Sequence, residues 1–167
     1  MPPPQGYPYY SRDEAQTRLT EKQIAQAEAY GRSRLRPDRS DPSYLVLRKR
    51  REIFEDWLED LPDPDLRVLD VGGRIQPYRP LIRRRAARYV GLDPQLRGLV
   101  DVVGNAEDLP FSAGAFDLVL CTQVLQYTGV PARAADELHR VLGVGGTLLL
   151  SVPAFFPQYH DHRWRFM

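Results

Sequence analysis

Four short apolar runs in this sequence each end in polar residues that suit one part of a nucleoside-bearing ligand. Arg67-Val68-Leu69-Asp70-Val71 leads into Gly72-Gly73, where missing side chains let a backbone come close to a bound molecule. Tyr89-Val90-Gly91-Leu92 ends in Asp93, a carboxylate able to accept both hydroxyls of a ribose. Beyond Val100 to Val103 lies Asn105-Ala106-Glu107, an amide with free backbone groups suited to reading an adenine edge. Phe116 to Cys121 leads to Thr122-Gln123, which would line a cleft beside a reactive centre. Near the C-terminus stands His160-Asp161-His162. In an extended segment the two histidines point the same way, so one could act as a base or both could touch a metal. Two histidines without a third ligand in the sequence also fit a solvated loop.

Each of these signals is weak alone. A glycine pair after a strand is common, an aspartate ending a strand is often a turn or cap, and a single asparagine is often a turn residue. Their weight comes from order, because all four fall at successive strand ends on one edge of one sheet. The elements that must position them are strands at 67–71, 89–93, 100–103, 116–121 and 147–152. A short helix is expected around Leu81 to Ala87. Another is expected at Ala132 to Leu142, opened by Pro131, closed by Gly143, and burying Ala135, Leu138, Val141 and Leu142. Strands alternating with helices predict an α/β fold, a Rossmann-like, doubly wound and mainly parallel sheet. In such sheets ligands bind outside the carboxyl ends, where strand order reverses. The link Pro94 to Leu99 is too short for a crossover helix, which predicts a short or skewed third strand.

Residues 1–40 read as an N-terminal tail and weak helix. Residues 1–10 are rich in Pro and Tyr, Arg12 to Tyr30 is helix-forming but poor in large apolar residues, Gly31 is the expected stop, and Ser33 to Asp41 is a linker. Residues 41–62 read as a leader helix packed on the core. Asp41 would cap it, Pro42 suits its first turn, Tyr44, Leu47, Phe54, Leu58 and Leu61 form its stripe, and Pro62 and Pro64 end it. Residues 63–167 hold the ligand-binding core.

Composition narrows the class. The chain has 167 residues, 43% hydrophobic and 27% charged, with a net charge of +1, so no overall field draws it to nucleic acid or a membrane surface. The basic runs Arg48-Lys49-Arg50-Arg51 and Arg83-Arg84-Arg85 read as wet helix faces. Cys121 is the single cysteine, which fits a reducing cytoplasm and a buried strand position. The opening MPPPQGYPYY lacks the pattern of a signal peptide, and the longest uncharged stretch, Val141 to Tyr159, is broken by glycines and prolines. A soluble, cytoplasmic protein is expected.

The segments VLDVGG, YVGLD, NAEDLPF, FDLVLCTQVLQY, ELHRVL and GGTLLLSVP together resemble a class I S-adenosylmethionine-dependent methyltransferase of the type 11 group, over about Val68 to Pro153. The resemblance implies S-adenosyl-L-methionine as cofactor. Asp70, Gly72 and Gly73 would lie beside its methionine part, Asp93 on its ribose, Asn105 and Ala106 on its adenine, and Thr122 and Gln123 at the methionine end. The closing HDHRWRF resembles a loop in a branch of the group with glycan or cell-envelope functions. A small-molecule or saccharide acceptor is therefore expected, with His160 and His162 as candidate catalytic groups where a hydroxyl must lose its proton. His139 reads as surface, and Trp164 and Phe166 as loop anchors or pocket walls.

The sequence departs from the group in three places. Arg74 stands where a glycine is usual, and it could fold away, pair with the cofactor carboxylate or block the site. Gly143-Val144 replaces a usual Lys-Pro. The chain reads as C-terminally truncated: the last two family strands are missing, and a partner or missing segment is expected to cover the open sheet edge. Two other readings stay open, a cofactor-binding or inert remnant and a nicotinamide-dependent oxidoreductase. Against the latter, the G-x-G-x-x-G spacing is absent.

Overall fold

The computed structural model describes residues 20–61, 65–82, 84–153 and 164. Two helices come first. In α1, Glu21–Leu35, Thr20 and Gln23 form a reciprocal cap: the Thr20 hydroxyl accepts from Gln23 N, and the Gln23 side chain accepts from Thr20 N at 2.9 Å. The expected start at Arg12 lies outside the described residues, and the expected stop at Gly31 is wrong. The helix runs through Gly31 because that position is a contact: a methyl group there would overlap the carbonyl oxygen of Ile75. Ala27, Gly31 and Leu35 fall on one buried face, so small residues let α1 sit directly on backbone.

The second helix, α2, spans Tyr44–Glu59. Its N-cap is Ser43 rather than Asp41. The Asp41 carboxylate accepts from Ser43 N at 2.7 Å and its carbonyl from Tyr44 N at 2.9 Å, forming the turn before the helix. Leu47, Phe54 and Leu58 are buried, and Phe54 stacks on Tyr78 with ring centroids 3.9 Å apart. Pro62 and Pro64 lie outside the described residues.

The remaining elements are β1 (Leu66–Val71), the single-turn α3 (Arg79–Ile82), β2 (Ala86–Asp93), β3 (Val102–Val103), β4 (Phe116–Thr122), a 3-10 turn (Leu125–Tyr127), α4 (Pro131–Val141) and β5 (Leu142–Ser151). The strands form one parallel sheet in the order β3-β2-β1-β4-β5, so strand order reverses between β1 and β4. The fold is the expected Rossmann-like one, and β3 is as short as the Pro94–Leu99 link implied.

Both faces of β1 are covered, which explains its unbroken burial from Val68 to Val71. On one face Leu69, Val71, Val90, Leu92 and Val119 meet Ala134, Leu138 and Val141 of α4. On the other Val68, Leu118, Leu120 and Leu149 meet Phe54 and Leu58 of α2, with Tyr78 and Ile82. At the amino ends, the Arg67 guanidinium forks onto Asp117 at 2.7 and 2.9 Å and joins β1 to β4. That pairing holds the Asp117 carboxyl at about 2.

Three further expectations need correcting. The short helix ends at Ile82, and Ala86 and Ala87 belong to β2, where Ala86 pairs with Leu66. In α4 the core-facing alanine is Ala134, while Ala135 is exposed. Gly143 does not stop α4, because Leu142 is already extended (φ −72°, ψ 136°) and passes straight into β5. Gly143 instead sits in a register shift, where Phe116 pairs with Leu142 but Leu118 with Thr147. No helix among the described residues is long and apolar enough to cross a membrane.

Gly31→Ala should therefore push α1 off its seat. We expect a loss of about 1–3 kcal/mol in urea unfolding and faster tryptic cleavage at Arg32 and Arg34, as for overpacking of a filled contact. Unchanged unfolding and cleavage would show that α1 is not docked through this glycine.

Candidate functional site

Sheet register brings the strand ends level. Val71 pairs with Leu92 on one side and Cys121 on the other, so the next residue, Gly72, stands beside Asp93 and Thr122. Asp93 in turn pairs with Val103, two residues before Asn105. The predicted positions thus gather at the strand-order reversal, where a parallel sheet opens a crevice.

The turn after β1 is tightly bonded. Gly72 N and Gly73 N donate to the Leu92 carbonyl at 2.7 and 3.1 Å, and Arg74 N donates to Gly72 O at 2.8 Å. Gly72 has φ +77°, and a methyl on it would lie 2.5 Å from Val124 Cγ2. A methyl on Gly73 would lie 2.6 Å from Asp70 O and 3.0 Å from its carboxyl carbon. The glycines are thus required by the protein's own packing.

Asp70 is 3% exposed and lies beneath that turn, with the Tyr89 hydroxyl donating to its Oδ2 at 2.7 Å. Burial raises its carboxyl to about 7, opposed by the Tyr89 hydrogen bond. Asp70 therefore acts through the turn rather than as an open wall of the crevice. The Arg79 guanidinium covers the Tyr89 ring at 5.2 Å and donates to Gln76 Oε1 at 2.8 Å.

Asp93 differs. It is half-buried, and burial raises its carboxyl, opposed by a hydrogen bond from Gln95 N and by the charges of Arg74 and Arg97. Its Oδ1 accepts from Gln95 N at 3.0 Å, and its other oxygen has no partner among the described residues. Asn105 uses its carbonyl oxygen on Glu107 N at 3.1 Å, which leaves its amide hydrogens without a partner among the described residues. Ala106 is buried beside it. Thr122 is half-buried with no side-chain partner among the described residues. Gln123, at φ +58°, turns its amide to Ser151 Oγ at 3.3 Å. An open carboxylate oxygen, an open amide and an open hydroxyl thus surround a bonded glycine turn.

Several residues that hold the site were missed in the sequence. Gln76, buried and at φ +42°, donates through Nε2 to Leu99 O at 2.5 Å, while Leu99 N donates to Arg74 O at 2.8 Å. Gly91 gave the signal: a glycine inside a strand marks close approach, and here a side chain would strike Gln76. Asp101 Oδ2 accepts from Gly91 N at 2.9 Å. The loop from Asn105 to Phe111 is fastened to α4. Glu107 accepts from Gly129 N and Val130 N at 2.6 and 3.2 Å, placing negative charge at the helix's amino end. Arg140, paired with Glu137, donates to the carbonyls of Leu109 and Phe111 at 2.9 and 2.8 Å.

Cys121 is fully buried and its thiol is pushed up to about 12, chiefly by burial, which removes it as a nucleophile. His139 is exposed on α4. Trp164 is 44% exposed, and its indole N–H donates to Thr128 O at 2.9 Å. His160, Asp161, His162 and Phe166 lie outside the described residues. Among the described residues no three His, Cys, Asp or Glu side chains group to hold a metal. Arg74 sends its carbonyl to Leu99 and lines a small cavity against α1.

A carboxyl held near 7 in the folded chain but near 4 when unfolded binds its proton more tightly when folded. It favours folding below pH 4 and loses that contribution as pH rises to 7. Asp70→Asn keeps an acceptor for Tyr89 and removes the titration. The urea midpoint of the variant, relative to wild type, should therefore rise between pH 4 and 7 and stay level above. A constant difference across that range would show that Asp70 does not titrate there.

Residues 69–150 match the family described as "Methyltransferase domain". An uncharacterized methyltransferase of Mycobacterium sp. (strain KMS) is 31% identical over 105 residues, covering 57% of this chain and 42% of that protein. The chloroplastic 2-methyl-6-phytyl-1,4-hydroquinone methyltransferase of Arabidopsis thaliana is 31% identical over 120 residues, covering 62% of this chain and 36% of that protein. The chain thus spans less than half the length of these curated relatives. An S-adenosylmethionine-dependent methyltransferase from Mesorhizobium loti shares the fold, with a TM-score of 0.50 at 23% identity, covering 60% of this chain and 53% of that one.

Proposed function

From the premise that this chain carries a class I S-adenosylmethionine-dependent methyltransferase domain, we propose that it binds S-adenosylmethionine across the carboxyl ends of β1, β2 and β4 and methylates a small-molecule or glycan-type acceptor. The observation that carries this reading is Asp93. It is a half-buried carboxylate with one oxygen open, beside Gly72 at the strand-order reversal.

Asp93 accepts the ribose hydroxyls. Asn105 and Ala106 meet the adenine, held in place by the Glu107 and Arg140 bonds to and from α4. Thr122 and Gln123 line the methionine end, and Gly72 and Gly73 keep the floor of the crevice, braced from below by Asp70. When bound, the cofactor supplies a methyl group on a cationic sulfur, a good leaving group. The residues of the chain need only align an acceptor atom with that bond and exclude water, and alignment of this kind supplies much of the acceleration. Where the acceptor is a hydroxyl, we assign proton removal to His160 or His162.

Calorimetric titration with S-adenosylhomocysteine tests the reading. Binding is expected, weakened at least about tenfold in Asp93→Ala with the circular dichroism unchanged, since that substitution removes a charge-assisted acceptor. Failure of folded wild-type protein to bind would sink the reading. Binding without methyl transfer to any saccharide or small hydroxyl acceptor would leave a cofactor-binding remnant.

A further inference from the structure

The cavity between α1 and the two loops on the β2 side of the site has no role in the arrangement above. It is built by close approach. Gly98, at φ +68°, has room for no side chain between Arg74 and Ala27, and Gly31 sits against Ile75 in the same seam. These contacts bring α1 over the loops following β1 and β2 and leave a cavity of about 250 Å³. That is smaller than the roughly 300–1,000 Å³ of a whole small-molecule site, so it suits one group of a ligand.

Two arginines line it, Arg74 from the first loop and Arg97 from the second. Among the described residues neither guanidinium has a hydrogen bond or an ion pair, although both act on the charge of Asp93. Facing the arginines across the cavity, α1 supplies Gln23, Gln26 and Tyr30, two amides and a hydroxyl that can donate hydrogen bonds. The cavity is thus lined by two arginines and by residues with neutral donors, and by no carboxylate.

We propose that this cavity is an anion subsite that takes a single phosphate or carboxylate group, with Arg74 and Arg97 supplying charge and α1 forming one wall. The inference rests on the proposed function only for its meaning: the anion belongs either to the methyl acceptor or to the amino-acid end of the cofactor. Two guanidiniums hold such a group by planar, paired donors, which a lysine would not reproduce. The arginine that departs from the usual glycine thereby gains a role of its own.

Calorimetry on the full chain separates the sources, using inorganic phosphate, S-adenosylhomocysteine and 5′-methylthioadenosine, which lacks the carboxylate. Arg97 is exposed, so Arg97→Gln should fold as wild type does, and Arg74→Gln is the second variant. If the acceptor brings the anion, phosphate binds with and without saturating S-adenosylhomocysteine, and both variants weaken phosphate about tenfold or more while leaving S-adenosylhomocysteine unchanged. If the cofactor brings it, phosphate competes with S-adenosylhomocysteine, and both variants weaken that ligand but not 5′-methylthioadenosine. Absence of phosphate binding at millimolar concentration, with S-adenosylhomocysteine affinity unaltered in both variants, overturns the subsite. Failure of S-adenosylhomocysteine to bind wild type would defeat the methyltransferase reading and still leave phosphate to decide the cavity.

Discussion

Neither the link between β1 and β2 nor the one between β2 and β3 lays a full crossover helix on the sheet. The first link holds a single helical turn, Arg79–Ile82, and residues 94–101 hold none. A parallel sheet needs both faces covered, so the missing cover has to come from elsewhere. It comes from the N-terminal helices. Phe54 and Leu58 of α2 fill the space over Val68, Leu118 and Leu120, and α1 seals the edge near Ile75 and Gly98. The seam is made of small residues because the helix meets backbone there rather than side chains. The loops that carry Arg74 and Arg97 are consequently tied to each other by Leu99, which donates to Arg74 and accepts from Gln76.

Burying Asp70 is the costly part of this design. A carboxyl with 3% exposure is expensive unless neutral or well bonded, and one hydroxyl from Tyr89 is the hydrogen bond it receives. In return the carboxyl fills the space directly under Gly73, so the turn can neither sink nor accept a side chain. Arg79 over the Tyr89 ring and Gln76 beneath Arg79 extend this polar column toward Leu99. The column links the floor of the crevice to the same loop that closes the α1 cavity.

How much of this could be read in the sequence depends on what a pattern reports. Burial of a whole strand shows in its residue types, so β1, β2 and β4 were legible, and the shortness of β3 followed from counting its link. Register then placed Gly72, Asp93 and Thr122 together, because level strand ends are a property of parallel sheets. Patterns do not report which neighbour a residue meets. Gly31 was read as a helix stop when it is a helix-to-backbone contact, and Gly143 as a helix stop when it marks a shifted register. Asp41 was read as a cap when it shapes the turn two residues earlier. Ala134 and Ala135 differ by 100° on a helix wheel, too little for composition to choose between. Gln76 and Asp101 act across long sequence separations, and only Gly91 hinted at either.

The bonds divide the site into a fixed half and an open half. Around Gly72, Arg74, Asp93 and Leu99 the backbone groups bond to one another, and the loop from Asn105 to Phe111, which has no helix of its own, borrows rigidity from Glu107, Glu137 and Arg140. Glu107 joins that loop to the amino end of α4. On the other side of β1, Thr122 keeps its hydroxyl unengaged among the described residues, and the 3-10 turn after it is tied to Trp164. A ligand that must be held identically in every turnover belongs on the bonded half, and a ligand that varies belongs where side chains are uncommitted. The division suits the proposed seat of the nucleoside over β1 and β2.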